Sequence, residues 1–186
     1  LNDIEPVKFV VVEGAERAQQ GRVNLVECGA KELSVTPGKP SKAGGEAAAA
    51  ALNRAIEELK SGAIDAMVTA PIDKEMIQSE AFSFTGHTEF LAKELEGEPL
   101  MIMTSELMRV GLVTIHVPVA KVAESLSKEL IVERINQMND SMRQDFGVVR
   151  PKVAVLALNP HAGDGGLLGA EEQEIIKPAI VEAYEA

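Results

Sequence analysis

Two kinds of apolar pattern alternate along this chain. Short β-branched runs bounded by Gly and charged residues, Val7 to Val12 and Val23 to Cys28, read as buried strands. Val35 to Gly45 carries Pro37, Gly38, Pro40, Gly44 and Gly45 and reads as loop. From Glu46 to Lys60 the period changes, and Ala48, Leu52, Ala55, Ile56 and Leu59 fall on one face of a predicted helix whose alanines allow close packing on a sheet. Gly62 ends that helix, and Ile64 to Ala70 follows as the next strand, the order of half a βαβ unit. Thr69-Ala-Pro-Ile-Asp-Lys74 then turns into a short helix at the strand's carboxyl end.

Phe82 to His87 reads as a loop running into an amphipathic helix, with Phe90, Leu91 and Leu95 as its apolar stripe, Thr88 as its cap and His87 at its positive end. Leu100 to Met103 and Val110 to Ile115 are predicted strands, and Pro118 starts a helix after His116. Ser127 caps a long helix in which Ile131, Ile135, Met138, Met142 and Phe146 recur at helical spacing, the methionines as core filler. Val153 to Leu158 is a further strand, ended by Asn159-Pro160 and followed by the glycine loop Ala162 to Gly166. Gly169 to Glu172 opens a last helix, where Glu171, Glu172 and Glu174 suit a helix N-terminus electrostatically.

Composition narrows the class. At 186 residues and 46% hydrophobic, with no Trp and one Tyr, the chain suits a sheet packed by helices in one large or two small lobes. Its 18 basic and 29 acidic residues argue against a nucleic-acid surface, and an anionic substrate needs local positive groups. Cys28 is the single cysteine, so nothing requires an oxidising compartment. No run approaches the roughly 18 apolar residues of a membrane span, and Leu1 to Pro6 lacks the marks of a signal peptide. A cytoplasmic location without a membrane partner is expected. The start without methionine and a final helical pattern without a stop signal suggest a chain cut at both ends.

Two of the three histidines, His116 and His161, close strand-like runs. Ligands collect beyond the carboxyl ends of strands in open α/β sheets, and neutral imidazoles can meet there on one metal ion. The plainer reading is that a polar residue merely ends each strand. The glycine loop and helix start after His161 also resemble an anion site, since unpaired backbone N–H groups point into it. Lys74 either contacts a phosphate or is simply solvated. His87 either donates a hydrogen bond to a carboxylate or phosphate or only begins its helix.

Taken together, Ala43-Gly44, Thr69-Ala-Pro-Ile-Asp-Lys74, Phe84-Thr-Gly-His-Thr-Glu-Phe90, Arg109 to Pro118 and Leu158-Asn-Pro-His-Ala-Gly-Asp-Gly-Gly166 resemble the 4-hydroxythreonine-4-phosphate dehydrogenases of vitamin B6 biosynthesis. The resemblance implies an α/β fold, specifically a two-lobed α/β/α sandwich like that of isocitrate and isopropylmalate dehydrogenases, incomplete here at both ends. It assigns 1–79 to the first lobe and 80–186 to the second. It implies that His87 and Thr88 touch substrate and that His116 and His161 bind a divalent metal (Zn, Mg, Co, Mn or Ni) in a cleft between the lobes. Lys74 and Asp164 are candidates for phosphate or outer-sphere contacts. Many family members carry Glu at the position of Asp164, so no detailed role passes to the shorter carboxylate.

The implied reaction oxidises the secondary alcohol of a small phosphorylated substrate with NAD or NADP and then releases CO₂. The family's third metal-binding histidine lies in a Tyr-His-Asp-Gln segment absent from this sequence, and its members are homodimers that share active sites. No residue of the sequence stands out as the general base. Close alternatives are a sister enzyme for 4-phosphorylated threonate or erythronate, a phosphate acyltransferase of similar fold, and a metal-binding module without catalysis.

Overall fold

The computed structural model describes residues 6–29, 33–34, 36–79, 82–84 and 86–185. Val35 and Thr85, expected in loops, and Leu1 to Glu5 lie outside the described residues. The chain divides into two units, Leu1–Glu98 and Pro99–Ala186. Residues 82–95, grouped by sequence with the second lobe, thus fall in the first unit, where Phe82 and Phe90 share a core with Leu52 and Ile56.

In the first unit, β1 (Phe9–Val12) and β2 (Val23–Val26) pair in parallel, Phe9 opposite Val23 and Val12 opposite Val26. Alternation half-buries Val10, Val12 and Val26 and exposes Phe9, Val11, Val23 and Leu25. The connection between the strands is tied to α1 (Lys42–Lys60): Arg54 donates to the Glu13 carbonyl at 2.7 Å, and Glu58 accepts from the Ala15 N–H at 3.2 Å.

Helix α1 begins four residues before the expected Glu46, so part of the expected loop is helical. Ser41 caps it, its Oγ accepting from Gly44 N–H at 3.1 Å. Gly44 and Gly45 therefore lie inside a helix, and at Gly45 there is a packing reason. A Cβ on Gly45 would stand 2.0 Å from the Met76 carbonyl oxygen, so only glycine lets α1 rest on the 73–77 turn. Ala49, Leu52 and Ile56 pack there against Ile77, Phe82 and Phe90. A Lys60–Glu94 ion pair at 2.9 Å joins α1 to α2 (His87–Glu94).

The second unit opens with an antiparallel hairpin, β3 (Ile102–Thr104) and β4 (Arg109–Gly111), both shorter than the predicted runs. Pro118 precedes a 3-10 turn, Val119–Lys121, with another at Ala123–Ser125, in place of the expected helix. Helix α3 (Lys128–Gln144) starts where the pattern puts it, with Ser127 Oγ accepting from Leu130 N–H at 3.1 Å. A π-helical turn, Glu172–Ile176, leads into α4 (Lys177–Glu185). Ile131 of α3 closes on Ile176 and Ala179, and Val113, Val155 and Ile135 pack around them. Lys128 and Glu182 pair at 2.7 Å between α3 and α4. Among the described residues no helix is long and apolar enough to cross a membrane.

The expected strands at 64–70 and 153–158 are irregular, with bends at Asp65 and Leu158, and join no ladder among the described residues. Val68 and Leu156 are 99% and 82% exposed. An apolar run signals a buried strand, yet it becomes one only when a neighbour takes its N–H and C=O groups.

Gly45→Ala should lower stability by about 1–3 kcal/mol, because the turn's backbone must move to admit the methyl. Gly44→Ala meets only the movable Ser41 Oγ, at 3.1 Å, and should be neutral or stabilising. Urea unfolding midpoints of the two variants compare them directly, and equal losses would contradict the close-packing account.

Candidate functional site

Lys74 sits on a hydrogen-bonded turn of the first unit that is tied to Phe84, three residues before His87. Asp73 Oδ1 accepts from the N–H groups of Glu75 and Met76 at 3.0 and 2.9 Å, turning the chain directly after Thr69-Ala-Pro-Ile. Lys74 is exposed on that turn. The Gln78 amide donates to the carbonyls of Lys74 at 3.0 Å and Phe84 at 2.9 Å, so one side chain fastens the Lys74 turn to the approach of α2. Phe82, Phe84 and Phe90 stack with centroids 4.8–5.5 Å apart beneath that approach.

His87 is the first residue of α2, and the capping position belongs to Gly86 rather than Thr88. The helix makes no side-chain cap bond, so Thr88, half-buried in the first turn, keeps its hydroxyl for other use. His87 Nε2 is buried with no hydrogen-bond partner among the described residues. An orphaned imidazole nitrogen at the positive end of a helix is suited to a polar or anionic ligand.

In the second unit, His116 and His161 are both exposed, and each follows a stretch without regular secondary structure. The runs share a support, for Val113 and Val155 pack on the same Ile131–Ile176–Ala179 core. Backbone strain gathers beside both histidines. Among the described residues, the non-glycine positions at positive φ are His116 at 55°, Ala162 at 49° and Asp164 at 44°. Left-handed conformations at such residues persist only when the surroundings over-determine them, and they concentrate at functional sites.

Asn159 supplies that determination for the His161 turn. Its N–H donates to Glu172 Oε1 at 2.7 Å, its side-chain oxygen accepts from His161 N–H at 2.9 Å, its Nδ2 donates to the Leu168 carbonyl at 3.3 Å, and its carbonyl accepts from Ala162 N–H at 2.8 Å. Asp164, exposed, donates its N–H back to the His161 carbonyl at 2.9 Å.

Residues 1–186 match the family described as "Pyridoxal phosphate biosynthetic protein PdxA". The chain belongs to that family. A 4-hydroxythreonine-4-phosphate dehydrogenase from Bacteroides thetaiotaomicron is 50% identical over 179 residues, 95% of this chain and 49% of that protein. Another, from Acidithiobacillus ferrooxidans, is 41% identical over 146 residues, 77% and 44% of the respective chains. The solved 4-hydroxythreonine-4-phosphate dehydrogenase from Klebsiella pneumoniae superposes with a TM-score of 0.84 at 27% identity, covering 99% of this chain and 57% of that one. The chain spans about half the length of the curated relatives it matches. These likenesses agree with the α/β class expected from the sequence.

Imidazoles at His116 and His161 and the Asp164 carboxylate are donors whose chemistry would suit a divalent metal. Among the described residues no three His, Cys, Asp or Glu side chains come together as a metal site.

Sequence reasoning missed Gln78, Asn159 and Glu172. The first two carry no periodic signal, since an amide that clamps carbonyls looks like any polar loop residue. Glu172 did carry one: it precedes buried Ile176 and Ala179 at helical spacing, and it is itself only 3% exposed.

Asn159→Ala removes two of the four bonds, about 2 kcal/mol at ordinary net strength, so local opening should rise about 30-fold. Hydrogen exchange should quicken at Ala162, Asp164 and Leu168 and stay unchanged in α3. Unchanged exchange at those three amides would mean that something else holds the turn.

Proposed function

We propose that the protein carrying this chain is a metal-dependent, NAD(P)-linked 4-hydroxythreonine-4-phosphate dehydrogenase that oxidises its substrate's secondary alcohol and then releases CO₂, in pyridoxal 5'-phosphate biosynthesis. Family membership supports the reaction, and the strained positions His116, Ala162 and Asp164 support the location of the site. The proposal extends to the two-lobed α/β/α sandwich of isocitrate and isopropylmalate dehydrogenases and to a homodimer that completes each site.

In this reading His87 presents its buried Nε2 to a polar group of the substrate, with the Thr88 hydroxyl beside it. Lys74, exposed on a turn fastened by Asp73 and Gln78, offers the positive charge that a phosphate needs in a chain of net charge −11. His116 and His161, with Asp164 as a further contact, would hold a divalent ion, which would supply Lewis-acid polarisation of the reacting oxygen. A nicotinamide cofactor, when bound, would supply the hydride acceptor. The clamp around Asn159 fixes His161 before substrate arrives, which lowers the cost of ordering the site.

The test uses the full-length protein, following NAD(P) reduction with 4-hydroxythreonine 4-phosphate and measuring bound divalent metal. Replacing His161 with Ala should reduce metal affinity and turnover by more than the roughly 10–100-fold that outer partners of metal ligands cost. Replacing His87 with Ala should raise KM about 10–100-fold, the value of one hydrogen bond to a charged group, with metal content unchanged. Loss of metal from the His87 variant would refute this division of roles.

A further inference from the structure

We infer that Glu172 is a positioning residue for His161, acting through the backbone of Asn159; the inference rests on the reading that His161 serves the site. An ordinary account of Glu172 is available, since acidic residues favour helix N-termini. It does not explain the burial. Glu174 is exposed and Glu171 half-buried, so the helix start already has acidic residues that keep contact with water. Glu172 is 3% exposed, and burying a carboxylate costs far more than a helix terminus returns. Something specific must hold it in place.

What holds it is the last residue before the His161 turn. Glu172 Oε1 accepts the Asn159 N–H at 2.7 Å, a short charge-assisted bond across the base of the loop. The other oxygen, Oε2, is buried and unpartnered among the described residues, and it faces Gly163. A Cβ on Gly163 would lie 3.3 Å from Oε2 and 2.5 Å from the Gly169 carbonyl oxygen, so the loop closes down on the carboxylate at a position where φ is +75°. The π-helical turn begins at Glu172 itself, and such turns recur at functional sites. Glu172 therefore couples the start of the last helix to the one turn that sets the direction of the His161 side chain. It touches neither substrate nor cofactor in this reading.

Two conservative variants of the full-length protein separate this role from the electrostatic one. Glu172→Gln loses the charge but keeps an acceptor at the same reach, whereas Glu172→Asp keeps the charge and loses a methylene of reach. The readouts are the exchange rate of the Asn159 amide, the His161 imidazole NMR signals of the metal-free protein, and kcat and KM for NAD(P) reduction. Gln should preserve the His161 signals and the kinetics and speed Asn159 exchange less than Asp does, since a neutral acceptor keeps part of the bond. Asp should speed Asn159 exchange by about tenfold or more, the loss of one charge-assisted bond, shift the His161 signals, and lower kcat with little change in KM for NAD(P). The reverse order, Asp preserving and Gln failing, assigns Glu172 to helix electrostatics and overturns the inference. So do His161 signals that neither variant moves. Full turnover by a His161→Ala variant would instead overturn the functional reading, because the His161 signals and Asn159 exchange report on the clamp whatever His161 does.

Discussion

The second unit depends on one apolar seam. Ile131 of α3 meets Ile176 and Ala179 across the helix pair, and the runs that end in His116 and His161 are held because Val113 and Val155 pack onto that seam. Burial of these side chains, each a contribution of about 1.5–3 kcal/mol for the larger ones, works against both the cost of holding irregular chain without a ladder and the strain at three non-glycine residues of positive φ. The polar clamp around Asn159 then decides which way the turn faces. Hydrophobic packing fixes where the histidine segments lie; hydrogen bonds fix their direction.

The first unit reaches a similar result by different means. Its support is the contact between α1 and the 73–77 turn, which Gly45 permits by having no side chain. The aromatic trio of Phe82, Phe84 and Phe90 supports the start of α2. Gln78 then joins the Lys74 turn to the same start through two carbonyls. Lys74 thus sits on a turn whose backbone is held by neighbouring side chains.

Helices α1 and α3 were legible because their stripes are long and strictly periodic, and Ser127 is an ordinary N-cap. The start of α1 was not, because the reason for Gly45 is a tertiary approach invisible to local pattern. The runs at 64–70 and 153–158 were legible as apolar, but ladders are pairwise, and no single run carries information about its partner. At the site, spacing and motif brought out the histidines, Lys74 and Asp164. The residues that orient them act through backbone groups, and a backbone contact leaves almost no trace in side-chain pattern. Thr88 shows the opposite error: a good capping residue stands beside Gly86, which holds the cap position.

The left-handed backbone at His116, with φ of 55°, bears on how any substitution there should be interpreted. Ala, the usual truncation, removes the imidazole and at the same time disfavours the conformation, so its effect mixes lost chemistry with a relaxed or misplaced chain. Asn tolerates the left-handed region well and has no imidazole. The difference between Asn and Ala at 116 therefore measures the backbone's share, and that between His and Asn the side chain's. The same geometry narrows the routes open to natural variation, since a β-branched replacement would be penalised by the main chain before its side chain was ever used.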